Sequence, residues 1–251
     1  MGRGMQVDVY PTDAEAFEAA AALAATHLRA SGARPTIALA GGRGGRGVLV
    51  ALAARGDVPW DRVAWFWGDE RCVPADDPRS NVRVAHDSLL IPRGVAAAAI
   101  HPPAVGLEDP GRIAAAYAET LAAELAPGPA PVFDLVLLGV GTNGHTASLM
   151  PGSRALHASA PVAAVAVEEV SDEPRVARIT VTPGVLQAAR QVIVTVTGAA
   201  KETVVARVLA GPLDPERVPA QLVRPAERVA WVMDRAAAAE LLRDARPAPD
   251  Q

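Results

Sequence analysis

Leu135 to Val140 is an uninterrupted apolar run with no polar alternation, the pattern of a strand covered on both faces. A chain with such a strand must place helices on both sides of a sheet. The rest of the sequence meets that demand. Short apolar, strand-like runs alternate with Ala- and Leu-rich helical patterns from end to end, which predicts an α/β fold with a mainly parallel sheet flanked by helices. Val7 to Tyr10, Thr36 to Ala40, Val63 to Trp67, Val162 to Val167, Val176 to Thr182, Gln191 to Thr197 and Val229 to Met233 read as the other strands. Thr12 and Glu15 have capping-box spacing and open a helix expected to end near Gly32. Further helices are expected from the glycine loop Gly41–Gly47 to about Ala54, over Ser80 to Leu90 and Pro110 to Leu125, after Gly198, and from near Asp234. Ile91 to Asp109 reads as loop, and residues 1–4 and 246–251 read as loose tails. With no internal repeat, heptad pattern or low-complexity linker, residues 1–251 are expected to form one domain.

Composition excludes some functions. The formal net charge of −4 creates no general field for nucleic acid or an anionic membrane, so any anion site must be local. Cys72 is the only cysteine, which rules out an intrachain disulfide and suits a reducing cytosol. No window reads as a signal peptide and no uncharged apolar run reaches spanning length, so a cytoplasmic location is expected. The oligomeric state is left open.

Four loops could carry chemistry. Gly41-Gly42-Arg43-Gly44-Gly45-Arg46-Gly47 lies between a strand and a helix, where backbone N–H groups can turn toward an anion and the arginines add charge-assisted donors. The same residues would also serve as a plain tight turn with solvated arginines. Gly42, Gly44 and Gly47 fit a dinucleotide fingerprint, with Asp69 about twenty residues on. Gly139, Gly141 and Gly144 fit it again, but Pro151 follows too soon for a long helix, so a nicotinamide cofactor is the weaker reading. Gly68-Asp69-Glu70-Arg71 ends a strand, and in extended chain Asp69 and Arg71 share a face while Glu70 points away. Arg71 there reads as an oxyanion or phosphate ligand, or as part of a solvated surface cluster.

The apolar run that opens this section feeds Gly139-Val140-Gly141-Thr142-Asn143-Gly144-His145. In an open parallel sheet, ligands bind at the carboxyl ends of strands, so His145 falls where chemistry is expected. A largely neutral imidazole at pH 7 can take a proton from water. The other histidines (His27, His86, His101 and His157) have no comparable setting and no metal-ligand spacing, so no metal is expected. Lys201, the only lysine, falls in the first turn of a predicted helix, where a cation is unfavourable unless it shares a bound anion such as phosphate.

These loops, in this order, resemble the 6-phosphogluconolactonase branch of the sugar-phosphate isomerase and deaminase superfamily. Three segments carry the resemblance: Gly68 to Arg71 continuing through Val73-Pro74 to Ser80-Asn81; Gly139 to Gly152; and Arg178 to Thr182 through to Lys201. The related glucosamine-6-phosphate deaminases carry Asp-Glu-Tyr in place of Asp69-Glu70-Arg71 and resemble the chain less. The resemblance implies a single Rossmann-like α/β domain with no metal and no organic cofactor. It implies hydrolysis of 6-phosphoglucono-1,5-lactone to 6-phosphogluconate in the oxidative pentose phosphate pathway, with His145 as general base. Arg71 and Lys201 would hold the phosphate or negative oxygens, with Gly41, Gly42, Arg43, Gly44 and Arg46 closing around them. Asp69, Gly144 and Arg178 match the pattern too, Arg178 either touching substrate or serving the structure. Two positions depart from it. Arg43-Gly44 stand where the family usually has a hydroxyl pair, and Asn143 stands where it usually has Asp. An amide at Asn143 can orient the imidazole, whereas a carboxylate could also stabilise its protonated form. A catalytically impaired sugar-phosphate binder of the same fold is therefore the alternative, ahead of an NAD(P)-dependent enzyme.

Overall fold

The computed structural model describes residues 4–105, 109–125 and 130–244. Six strands form one parallel sheet: β1 (Met5–Tyr10), β2 (Thr36–Leu39), β3 (Ala64–Trp67), β5 (Leu135–Leu138), β8 (Val192–Val196) and β9 (Val229–Asp234), in the order β1-β9-β8-β5-β2-β3. The absence of alternation in β5 has the expected cause. Leu135 and Leu137 enter the core on one face and Val136 and Leu138 the core on the other, all four buried.

The helices that cover the two faces begin where local chemistry says they should. Thr12 Oγ1 accepts from the Glu15 N–H and Glu15 accepts from the Thr12 N–H, which starts α1 (Asp13–Ala30). Asp109 caps α4 (Pro110–Glu124), whose proline sits in the first turn, where no N–H is missed. Ser80 caps α3 (Asn81–Ala85), which widens into a π turn over His86–Leu90. α5 (Pro183–Ala188), α6 (Glu202–Leu209) and α7 (Ala239–Asp244) follow later in the chain.

Three expectations need correction. The glycine run is not a loop before a helix: α2 spans Gly42–Ala53, so its glycines are the helix's opening turns. Two of them, Gly45 and Gly47, are required by contact. A Cβ at Gly45 would lie 2.4 Å from the Ala40 carbonyl oxygen, and one at Gly47 would meet the Phe17 ring at 2.5 Å. The last helix starts at Ala239 rather than near Asp234, because Asp234 completes β9 and its carboxylate accepts from the N–H groups of Gly198 and Ala237. Gly4 is not a loose end, since its carbonyl accepts from the Val229 N–H; the other residues expected as loose tails, 1–3 and 246–251, lie outside the described residues.

A second sheet was not anticipated. β4 (Asp69–Arg71), β7 (Arg178–Val181) and β6 (Val162–Val165) pair antiparallel in the order β4-β7-β6. It hangs off the end of β3 and forms one wall of the cleft described next. Among the described residues no helix is long and apolar enough to cross a membrane.

Candidate active site

A cleft of about 400 Å³ opens at the carboxyl ends of β2, β5 and β8, where the sheet order reverses direction. The first turn of α2 forms one side. Gly41, its N-cap, offers no side-chain acceptor, so the N–H groups of the opening turn are not capped by a side chain and carry the positive end of the helix to the cleft. Gly41 itself packs so closely on Asn81 that a Cβ would fall 1.8 Å from Oδ1.

His145 is set by the turn that follows β5. The Gly141 N–H donates to the His145 carbonyl (2.8 Å), and Thr146 Oγ1 donates to the Gly139 carbonyl (2.8 Å), which closes a tight loop. Only glycine fits at 141, because a Cβ there would stand 2.1 Å from the imidazole. Asn143 Nδ2 donates to Ser171 Oγ at 2.9 Å, which turns Asn143 Oδ1 toward the ring. His145 Nδ1 lies 2.7 Å from that oxygen and so must carry the proton, leaving Nε2 with a free lone pair facing the cleft. On the Nε2 side, Asp172 Oδ2 is 3.8 Å away. Burial is the main reason the imidazole is pushed down from 6.5 to about 4; Arg178 and Lys201 push the same way, and Asp172 and Asp69 oppose them. The result is a neutral imidazole at neutral pH.

Cations line the other walls. Arg71 and Arg178 are directly opposite on β4 and β7, a like-charge cross-strand pair that is unfavourable unless an anion sits between the charges. The Nε of each is buried without a hydrogen-bond partner among the described residues. Arg178 is 2 % exposed, and burial is the main cause that lowers its pKa; Arg71 pushes the same way, and Asp69 opposes them. Its Nη2 donates to the Pro174 (2.9 Å) and Asp172 (3.3 Å) carbonyls, so Arg178 both faces the cleft and holds its rim. Lys201 reaches the cleft as the residue that precedes α6, with its pKa lowered mainly by burial. Asp69 is anchored by Ser148 Oγ (2.7 Å) and Asn81 Nδ2 (3.3 Å). Glu70 points the other way, as expected, and its fully buried carboxylate accepts from the N–H groups of Arg71, Asn81 and Val82 and from the Ser80 hydroxyl.

The structure therefore brings together Gly41, Gly42, Arg43, Gly44, Asp69, Arg71, His145, Arg178 and Lys201, with Asn143 behind the imidazole. Arg46 and Gly144 are not in the cleft. Arg46 lies on a neighbouring groove on the outer side of α2, and Gly144 has φ +95° and packs against Val218. Arg43 reaches the rim but is ion-paired to Asp13 at 2.8 Å. The dinucleotide reading loses its acidic residue, since Asp69 is engaged by Ser148 and Asn81. Asp172, Glu173 and the Gly198 turn belong to the cleft and were not singled out in the sequence. Among the described residues no three His, Cys, Asp or Glu side chains cluster as a metal site.

An α/β sheet whose switch point carries a helix N-terminus, a cross-strand arginine pair and a neutral imidazole defines a protein that handles small phosphorylated or otherwise anionic metabolites. The profile of the glucosamine-6-phosphate isomerase/6-phosphogluconolactonase family matches residues 11–231, and the chain belongs to that family. It is 40 % identical over 211 residues to the 6-phosphogluconolactonase of Mycobacterium tuberculosis, covering 82 % of this chain and 84 % of the relative. It is 37 % identical over 244 residues to that of Streptomyces coelicolor, covering 92 % of each. The solved 6-phosphogluconolactonase of Trypanosoma brucei superposes with a TM-score of 0.83 at 31 % identity, covering 96 % of this chain and all of that one.

Proposed function

We propose that the chain hydrolyses 6-phosphoglucono-1,5-lactone to 6-phosphogluconate, as a cytoplasmic single-domain enzyme of the oxidative pentose phosphate pathway. The observation that carries the reading is His145, tethered at Nδ1 and presenting a free Nε2 to a cleft walled by Arg71, Arg178 and Lys201. Water held at Nε2 attacks the lactone carbonyl carbon as one of its protons passes to Nε2. The carbonyl oxygen becomes a tetrahedral oxyanion, stabilised by the neighbouring cations and backbone N–H groups. Collapse breaks the bond from C1 to the ring oxygen, and that oxygen takes the proton back from the imidazolium. The new carboxylic acid then ionises to solvent, and His145 is neutral again. The phosphate is held at the cationic wall with the α2 N-terminus, which fixes the ring over the base.

The test is hydrolysis of freshly generated lactone, with the spontaneous rate subtracted and His145→Ala alongside. Activity that vanishes in the variant while 6-phosphogluconate still binds supports the reading. Full activity in the variant would remove His145 from its role. An inactive wild type that binds 6-phosphogluconate would favour a sugar-phosphate binder, the alternative that Asn143 motivates.

A further inference from the structure

The segment Ser171–Pro174 touches the base from both sides. Ser171 Oγ holds the Asn143 amide, which fixes Nδ1, and Asp172 reaches to 3.8 Å of Nε2. Arg178 holds this segment in turn through the Asp172 and Pro174 carbonyls. A base that takes a proton becomes a cation, and a buried cation needs a counter-charge. The amide at Asn143 is neutral and cannot supply one. The other charged groups that face the ring are Asp69, which Ser148 and Asn81 already engage, and Arg178 and Lys201, which oppose its protonation.

We propose that Asp172 is a positioning residue for hydrolysis: its carboxylate stabilises the imidazolium from the Nε2 side, in place of a carboxylate at residue 143. This rests on the reading of His145 as the base. Asp172 also sets a negative charge among the cations that bind the anionic substrate, so it favours turnover at the expense of affinity.

The opposed effects provide the test. Asp172→Asn keeps the backbone carbonyl that Arg178 holds, so the segment stays in place. With the side chain 42 % exposed, the lost attraction is screened, and kcat is expected to fall roughly three- to fivefold. The product 6-phosphogluconate should inhibit this variant more strongly than the wild type, whereas simple damage to the site would weaken inhibition. In histidine-labelled protein without substrate, NMR should find the proton occupancy of His145 at about pH 4.5 lower in Asp172→Asn than in the wild type. The double variant Asn143→Asp, Asp172→Asn moves the carboxylate to Nδ1 and should recover both kcat and proton occupancy. Unchanged kcat and occupancy in Asp172→Asn, or no recovery in the double variant, would overturn the proposal. If His145→Ala remained active, the base reading would fail with it. If His145→Ala were inactive while Asp172→Asn matched wild type, only the role of Asp172 would be lost.

Discussion

Replacing His145 with glutamine should make the fold less sensitive to acid. Burial holds the imidazole at about 4 in the folded protein, against 6.5 for the ordinary side chain. The folded value is the lower one, so between the two the unfolded chain binds the proton more readily and stability rises with pH. Above pH 6.5 both states are neutral and the group is silent. As pH falls from 6.5 toward 4, stability drains at up to about 1.4 kcal/mol per pH unit. Integrated from pH 7 to pH 4.5, this one imidazole removes about 2–3 kcal/mol. That is a sizeable share of the roughly 5–15 kcal/mol that holds a typical domain together.

Urea unfolding of wild type and His145→Gln at the two pH values isolates the effect. Glutamine is neutral throughout and keeps an N–H donor for Asn143. His27 and His101, also pushed down mainly by burial, titrate in both proteins and cancel in the double difference. Wild type should lose about 2–3 kcal/mol more than the variant. Equal losses would mean that the imidazole titrates alike in the folded and unfolded chains. The base would then be half protonated at pH 6.5, and desolvation would not be what keeps it neutral.

Four further outcomes follow from the same geometry. At saturating lactone, which sets aside the phosphate's second ionisation near pH 6, kcat at pH 5.5 should stay above roughly 80 % of its value at pH 7; an ordinary imidazole would leave roughly a tenth. Gly141→Ala puts a Cβ 2.1 Å from the imidazole, so kcat should fall by about a hundredfold or more while circular dichroism and Tm stay near wild type. Ser148→Ala removes the hydroxyl that donates to Asp69 Oδ2, and urea unfolding should register a loss of about 1–3 kcal/mol. Calorimetry with 6-phosphogluconate should find Lys201→Ala weakened by about tenfold or more and Arg46→Ala unchanged, since only Lys201 lines the cleft.

The parallel sheet could be read from the chain because its determinants are local or periodic. Leu135 to Leu138 feed two cores in alternation, so their uniform apolarity reports burial on both faces, and Thr12 with Glu15 fixes a helix start through neighbouring atoms. β4 had no such signal. Asp69–Arg71 is three polar residues, and only pairing with β7, more than a hundred positions away, makes it a strand. The opening of α2 misled for a related reason. Glycine has poor helix propensity, but Gly41, Gly45 and Gly47 are demanded by Asn81, Ala40 and Phe17, contacts that exist only after folding.

The same division runs through the site. His145, Arg71 and Lys201 stood out by their places at strand and helix ends. Asp172 did not, because it lies in an acidic, proline-bearing stretch that carries no motif and is distant in sequence from the histidine it faces. Its importance comes from a charge balance that no single segment contains. Arg71 and Arg178 repel each other across two strands, and each has a buried Nε with no partner among the described residues, so the wall suits an anion. A wall built only of such charges would also hold His145 neutral against the proton that the proposed mechanism gives it. The carboxylate beside Nε2 offsets that field where the proton arrives, and Arg178 keeps it there by gripping the backbone on either side of Glu173. Substrate affinity and the basicity of His145 therefore depend on the same guanidinium. Truncating Arg178 should weaken phosphate binding and free the segment that carries Asp172, while also removing a charge that opposes protonation of His145; Lys201→Ala removes such a charge too but leaves the segment held.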